Sequence, residues 1–227
     1  MMRLTFRILA TTACALAVAV GSSSGAAARE QVPVWNQQPD LVSGGAYTAS
    51  VRLSDGYWAE AADDFELPFS ASVESIEWWG SGGEPSELLH VIVRFYLDDQ
   101  TLARGNPGAV AYQETISVLV GEEVVGPTGD DWRYTADLPV PFVASASVRY
   151  WVSIQGVKQS SQWYWYESPP DGYWGDTAML RSEFWGFPNW SPYTELVDDV
   201  RAFSFVLYAD TTPVEATTWG ALKSLFR

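Results

Sequence analysis

The stretch VRYWVSIQGVKQSSQWYWY, residues 148–166, decides the fold class of this chain. In its first half the side chains of one face recur at every second position: Val148, Tyr150, Val152 and Ile154. This period of two is typical of a strand with one buried face. A polar turn over Gly156–Ser161 is followed by Trp163–Tyr166, which carries large rings on both faces. Because β-branched and aromatic residues favour pleated sheets, the stretch predicts a β-hairpin.

Short alternating segments of the same kind recur along the chain, separated by turns rich in Gly, Pro and Asp. His90–Asp99 alternates most cleanly, and Val200–Tyr208 is the last predicted strand. Val73 is out of phase with Ile76, which predicts a β-bulge between them. The chain has no apolar run with helical spacing after its first segment. About nine or ten strands and no long helix predict an all-β, antiparallel two-sheet β-sandwich of jelly-roll type.

The first 28 residues have the pattern of a secretory signal peptide. Met1–Arg7 is basic, Ile8–Val20 is almost entirely apolar, and Ala26–Ala28 resembles a cleavage site. The apolar run is shorter than the ~20 residues that a membrane-spanning helix needs. We therefore expect a secreted or cell-surface protein that has no transmembrane anchor after signal removal, with one sandwich domain over residues 29–210.

Net charge and cysteine content limit the binding partners and the disulfide bonds expected for this chain. The formal net charge of −15 repels nucleic acid and anionic lipid, so neither is expected as a partner. Cys14 is the only cysteine and would leave with the signal peptide, so no disulfide is expected in the mature chain. The hydrophobic core therefore has to supply the stability, because a domain of this length buries enough surface to fold without cross-links. The oligomeric state cannot be deduced from the sequence.

Several short motifs, in their order, resemble a tryptophan-rich domain of secreted bacterial proteins. These motifs are Ala62–Phe65, Ser75–Gly80, Val93–Tyr96, Asp137–Pro139, Arg149–Ile154 and Phe203–Tyr208. The resemblance spans Trp35–Asp210 and implies an extracellular jelly-roll or lectin-like sandwich, without catalytic residues to transfer. Residues 211–227 read as a linker and tail. The ending Trp219–Lys223 is similar to short Trp-Gly-x-x-Lys endings of other secreted bacterial proteins, so the tail is either a sorting signal or a frayed terminus.

The candidate ligand-binding residues are aromatic and lie in the Pro/Gly-rich segment 168–196. They are Tyr173, Trp174, Trp185, Trp190 and Tyr193. Exposed planar rings stack on the apolar faces of sugars, and binding residues concentrate on loops held by a rigid scaffold. The segment therefore predicts binding of an extracellular polysaccharide or cell-surface glycan. The alternative is that these rings cap an open end of the sandwich, in a structural or adhesive surface protein without a small ligand.

No cofactor is expected from the sequence, and a structural calcium ion bound by acidic pairs at strand ends is the alternative. Asp63 and Asp64 open an early strand, while Asp198 and Asp199 open the last one. If these strands are neighbours, four carboxylates come close enough to bind calcium, which prefers oxygen ligands. The alternative is a set of solvated strand ends.

Catalysis is not expected. His90 is the only histidine and no Gly-x-Ser-x-Gly motif accompanies it, so a Ser-His-Asp triad is not indicated. A glycoside hydrolase needs only two carboxylates ~5–10 Å apart, and it remains the weaker alternative to a binding module.

Overall fold

The computed structural model describes residues 31–101, 105–117, 119–169, 177–196 and 202–210. In these ranges the chain forms fifteen β-strands and two single-turn 3-10 segments, Pro85–Glu87 and Tyr193–Glu195. The strands are β1 Gln31–Gln37, β2 Ala46–Thr48, β3 Ser50–Arg52, β4 Tyr57–Trp58, β5 Glu60–Glu66, β6 Ala71–Ser81, β7 His90–Asp98, β8 Pro107–Ile116, β9 Val120–Val124, β10 Asp131–Ala144, β11 Arg149–Lys158, β12 Tyr164–Tyr166, β13 Met179–Ser182, β14 Phe187–Pro192 and β15 Phe205–Asp210.

The strands form two sheets that pack face to face, which confirms the predicted all-β sandwich. The first sheet has the order β1-β15-β6-β10-β9, and β12 pairs with β6 and β2. The second has the order β14-β13-β5-β11-β3-β4, with β7 on the other side of β11 and β8 beyond it. The pair β3 and β11 is parallel, and the other described pairs are antiparallel.

The core between the sheets consists largely of aromatic rings. Phe95 of the second sheet stacks on Phe142 of the first, with ring centroids 4.2 Å apart. Trp78 stacks on Tyr134 at 5.5 Å. Four tryptophans are fully buried and serve as packing residues: Trp78, Trp151, Trp163 and Trp165. Large rings that pack against each other across the gap hold the two sheets together.

The predicted hairpin over residues 148–166 is wrong. The two strands form with nearly the expected bounds, but β11 pairs with β5, β7 and β3 in the second sheet. Strand β12 pairs with β2 and β6 in the first sheet. The connection therefore crosses between the sheets, and the indole of Trp163 fills the space between Gly80 of β6 and Gly156 of β11. A Cβ atom at Gly156 would lie 2.8 Å from Trp163 Cβ, and one at Gly80 would lie 2.5 Å from its ring.

The sequence predicted the bulge in β6 correctly but underestimated the number of strands. Fifteen strands are present where about nine or ten were expected. The additional ones include strands of two or three residues, such as β3 and β4, which are too short to show an alternating pattern. The predicted bulge in β6 is confirmed by the register shift between Val73 and Ser75.

The predicted signal peptide and tail lie outside the described residues. Among the described residues, no helix has the length and apolar character needed to cross a membrane.

Candidate functional site

Two hairpin tips meet at one corner of the sandwich. The first connects β3 to β4 through residues 53–56, and the second connects β13 to β14 through residues 183–186. Gly56 and Gly186 have φ angles of 72° and 83°, a left-handed conformation that glycine adopts without strain. Asp55 accepts two hydrogen bonds from Arg52, at 2.8 and 2.6 Å, which hold the first tip in place. These bonds lower the pKa of Asp55, so that it stays ionised.

An open cavity of about 620 Å³ lies between the two tips. Its walls include Tyr57, Trp58 and Phe184. The Phe184 ring is 70% exposed and meets the Tyr57 ring edge-on, with the centroids 5.0 Å apart. Trp185, on the same tip, is 36% exposed. The tips therefore present aromatic surface to solvent beside the carboxylates of Asp55 and Glu183.

A buried carboxylate organises the sheet surface next to this cavity. Glu60 is fully buried on β5 and accepts hydrogen bonds from four neighbours. Arg181 donates at 2.6 Å, Arg94 at 3.0 Å, the Tyr96 hydroxyl at 2.6 Å and Ser153 at 2.9 Å. Burial and the Glu60 charge raise the pKa of Tyr96, so the phenol stays protonated and donates a hydrogen bond to Glu60. A buried charge is tolerated when it is paired and hydrogen-bonded in this way.

Arg181 also lies against two tryptophans. Its guanidinium carbon is 5.2 Å from the Trp58 ring centroid and 4.5 Å from that of Trp190. The edge of Trp190 meets Tyr96 at 5.7 Å. We call Trp58, Arg181 and Trp190 the tryptophan–arginine ladder. It runs over the outer face of the second sheet, where Trp190 packs against a separate apolar cluster that contains Tyr96 and Trp151.

The structure brings two of the five predicted aromatic residues to this corner. Trp185 lies on the β13–β14 tip, and Trp190 belongs to the ladder. Tyr193 is only 1% exposed, with its ring packed edge-on against Tyr47 and Phe203 at 5.4 and 5.2 Å. Its ring belongs to the core and presents no face to a ligand, so we leave it out of the site. Tyr173 and Trp174 lie outside the described residues.

Sequence reasoning missed three residues of the corner, Trp58, Phe184 and Arg181. The pair Asp55-Gly56 is typical of a turn, and the rings of Tyr57 and Trp58 follow it directly. Aromatic residues that directly follow or occupy a tight turn lie at a hairpin tip, and this position is the feature that would have revealed Trp58 and Phe184.

Of the predicted calcium ligands, the two that the structure describes, Asp63 and Asp64, lie on opposite faces of β5. Asp63 faces the core and accepts hydrogen bonds from Gln37 Nε2 at 2.6 Å and the Phe203 backbone at 2.7 Å. Asp64, one position further along β5, faces outward and lies 3.5 Å from Arg149. Adjacent strand residues point to opposite faces, so these two carboxylates cannot share one ion. Asp198 and Asp199 lie outside the described residues, and within the described ranges no three His, Cys, Asp or Glu side chains form a metal-binding group.

The burial of Asp63 makes the stability of the protein depend on pH. Burial, and then the charge of Asp64, raise the pKa of Asp63 well above its ordinary value. Its stabilising contribution is therefore complete below the unfolded pKa of about 4 and is lost as the pH rises through the folded pKa. Asp63→Asn keeps an oxygen that accepts from Gln37. We expect this variant to gain stability relative to wild type between about pH 4.5 and about pH 7.5, measured by urea unfolding.

The exposed carboxyl of Asp137 provides the matched control. Asp137→Asn removes an exposed carboxyl on β10, and the pH-dependent gain of Asp63→Asn should exceed that of this variant. A constant difference between Asp63→Asn and wild type at all pH values would contradict the raised pKa of Asp63.

A second cavity, of about 600 Å³, lies next to Leu97 and Arg149. Its walls include Glu66 and Asp98 and contain no aromatic ring. Stacking on a ring is therefore available at the hairpin tips and not in this cavity, so the corner formed by the tips and the ladder is the stronger candidate site.

The fold and this corner define the class of protein: a two-sheet, all-β sandwich with an aromatic surface at one corner. The chain belongs to the family described as Domain of unknown function (DUF7901), whose profile matches residues 33–208. This range contains both hairpin tips and the ladder. No curated protein sequence matches the chain.

Proposed function

We propose that this protein is a secreted, non-catalytic module that binds extracellular carbohydrate through the aromatic corner. The observation that carries the proposal is the pair of exposed rings on the β13–β14 tip, Phe184 and Trp185, next to the half-buried Trp58 in the wall of an open cavity of about 620 Å³. Export through the signal peptide, and kinship with tryptophan-rich, lectin-like sandwiches of secreted bacterial proteins, are parts of the same proposal.

The physical basis is the match between planar rings and sugars. One face of a pyranose ring carries C–H groups, which pack on an indole or phenyl face, while the hydroxyl groups need polar partners at the rim. The corner supplies both kinds of group, because the carboxylates of Asp55 and Glu183 adjoin Trp58 and Phe184. The tips are short turns held by a rigid sandwich, so little entropy is lost when a ligand binds.

Alanine substitution at the corner should weaken glycan binding without unfolding the protein. We expect Trp58→Ala and Phe184→Ala each to raise the Kd for a retained polysaccharide about tenfold or more, because loss of an aromatic anchor costs ~1.4 kcal/mol or more. Affinity electrophoresis through gels that contain neutral and acidic polysaccharides measures the effect.

Phe69→Ala is the matched control, because Phe69 is also an exposed phenylalanine, at 53% against 70% for Phe184, and lies outside the corner. It should leave retention unchanged. The proposal is wrong if no polysaccharide in the panel retards the wild-type protein.

A structural or adhesive surface protein is the second candidate. It is favoured by the contacts of Trp190 with Arg181 and Tyr96, which are packing contacts in their own right. This candidate predicts that Trp190→Ala lowers the melting temperature and leaves glycan retention unchanged. Glycoside hydrolysis is a weaker candidate, because Asp55 is engaged by Arg52. The release of no new reducing ends from any polysaccharide in the panel would remove it.

A further inference from the structure

Arg181 of the ladder shares its buried carboxylate partner with a second arginine. Arg94 and Arg181 both pair with the single carboxylate of Glu60. In the part of the chain that the structure describes, neither arginine has a second ion-pair partner within 4.0 Å. Two guanidiniums therefore share one buried carboxylate, on a chain whose formal net charge is −15.

Arg181 has a donor left for a ligand. Its Nε and Nη2 atoms donate to Glu60, and Nη2 also lies 3.2 Å from the Tyr96 hydroxyl. Nη1 makes no hydrogen bond within the described residues. The side chain is 30% exposed, whereas that of Arg94 is 13% exposed. Of the two arginines, Arg181 is therefore the more exposed and has an unused donor.

The surroundings of Arg181 suit a sugar that carries a carboxylate. Guanidinium groups bind carboxylates with strong, charge-assisted hydrogen bonds. The indoles of Trp58 and Trp190 both adjoin the guanidinium, and Trp58 also forms part of the cavity wall. A sugar ring that binds against Trp58 in the cavity therefore lies close enough for a carboxylate attached to it to reach Arg181.

We propose that the ladder recognises acidic sugar units, of the uronic acid type, in the polysaccharide that the corner binds. This inference rests on the proposed carbohydrate-binding function and specifies its ligand class. The net negative charge of the protein opposes it only at long range, because charges further apart than ~8 Å are largely screened at physiological ionic strength. Contact with Arg181 acts inside that distance.

The test compares ligands that differ only in charge. Affinity electrophoresis at physiological salt uses polygalacturonate, alginate and hyaluronan, each beside its methyl-esterified form, together with a panel of neutral polysaccharides. Esterification keeps the sugar rings and removes the negative charge. We expect at least one acidic polymer to retain the wild-type protein about tenfold more strongly than its ester.

Arg181→Gln should abolish this preference for the acid form. Arg133→Gln, on the outer face of the other sheet and paired there with Glu77 and Glu122, should retain it. The melting temperature of each variant is measured first. If Arg181→Gln does not fold, the comparison of acid and ester with the wild-type protein decides alone.

The outcomes separate the two proposals. Equal retention by acids and esters, or retention by neutral polysaccharides alone, overturns the acidic ligand and leaves carbohydrate binding in place. Absence of retention by every polymer overturns both.

Discussion

Replacement of Glu60 by alanine is expected to lower the free energy of unfolding by about 3–5 kcal/mol, because it leaves two guanidiniums without their buried counter-charge. Glu60 is fully buried and receives hydrogen bonds from four side chains, including those of Arg94 and Arg181. The substitution removes the acceptor of all of them at once. Urea unfolding at neutral pH measures the loss.

An exposed ion pair gives the matched control for Glu60. Glu122 is 65% exposed and pairs with Arg133 at the edge of the first sheet. Glu122→Ala should cost only about 0–1 kcal/mol, since surface pairs are solvated before and after the change. If Glu60→Ala costs no more than Glu122→Ala, the network around Glu60 does not stabilise the fold in the way described.

Trp163→Ala is expected to destabilise the protein by a similar amount, about 3–5 kcal/mol, because it empties the space between the two sheets. The indole is fully buried and approaches both Gly80 and Gly156 too closely for a side chain at either position. Gly156→Ala should itself cost about 1–3 kcal/mol, because the added methyl group overlaps with the indole. Chemical denaturation measures both.

The double variant tests whether these two effects have one origin. With Trp163 truncated, the methyl group at position 156 no longer meets an indole, so the double variant should be more stable than the sum of the single losses implies. A coupling of about 0.5–3 kcal/mol is expected. Additive losses would show that Gly156 is needed for a reason other than its contact with Trp163.

Much of the local structure follows from the sequence. Alternation in His90–Asp99 and in the first half of residues 148–166 predicted β7 and β11, and the phase break after Val73 predicted the bulge in β6. The strands that the sequence did not predict include some that are too short to show an alternating pattern. Strands β3 and β4 have three and two residues, and the ladder depends on where they lie.

The candidate site was only partly predictable. The density of aromatic residues in a loop-rich segment pointed to Trp185, which is 36% exposed, and to Trp190, which is half-buried. Trp58 lies 127 positions before Trp185, and nothing local in the sequence indicates that their turns meet. Tyr193 was predicted to bind a ligand but is a buried core residue, because a ring within a Pro-rich segment can also pack inward. Density of rings predicts an aromatic surface but does not say which rings face solvent.

By itself, the sequence determined that this chain is built from strands, because side chains that alternate every second residue specify a pleated surface locally. Only the tertiary structure decided which strands are neighbours. The segment after β11 crosses to the opposite sheet because Trp163 fits between Gly80 and Gly156, residues 76 positions apart along the chain. The ladder likewise exists because β5 pairs with β13, which brings Glu60 beside Arg181. Such pairings depend on packing between distant residues, and no local pattern encodes them.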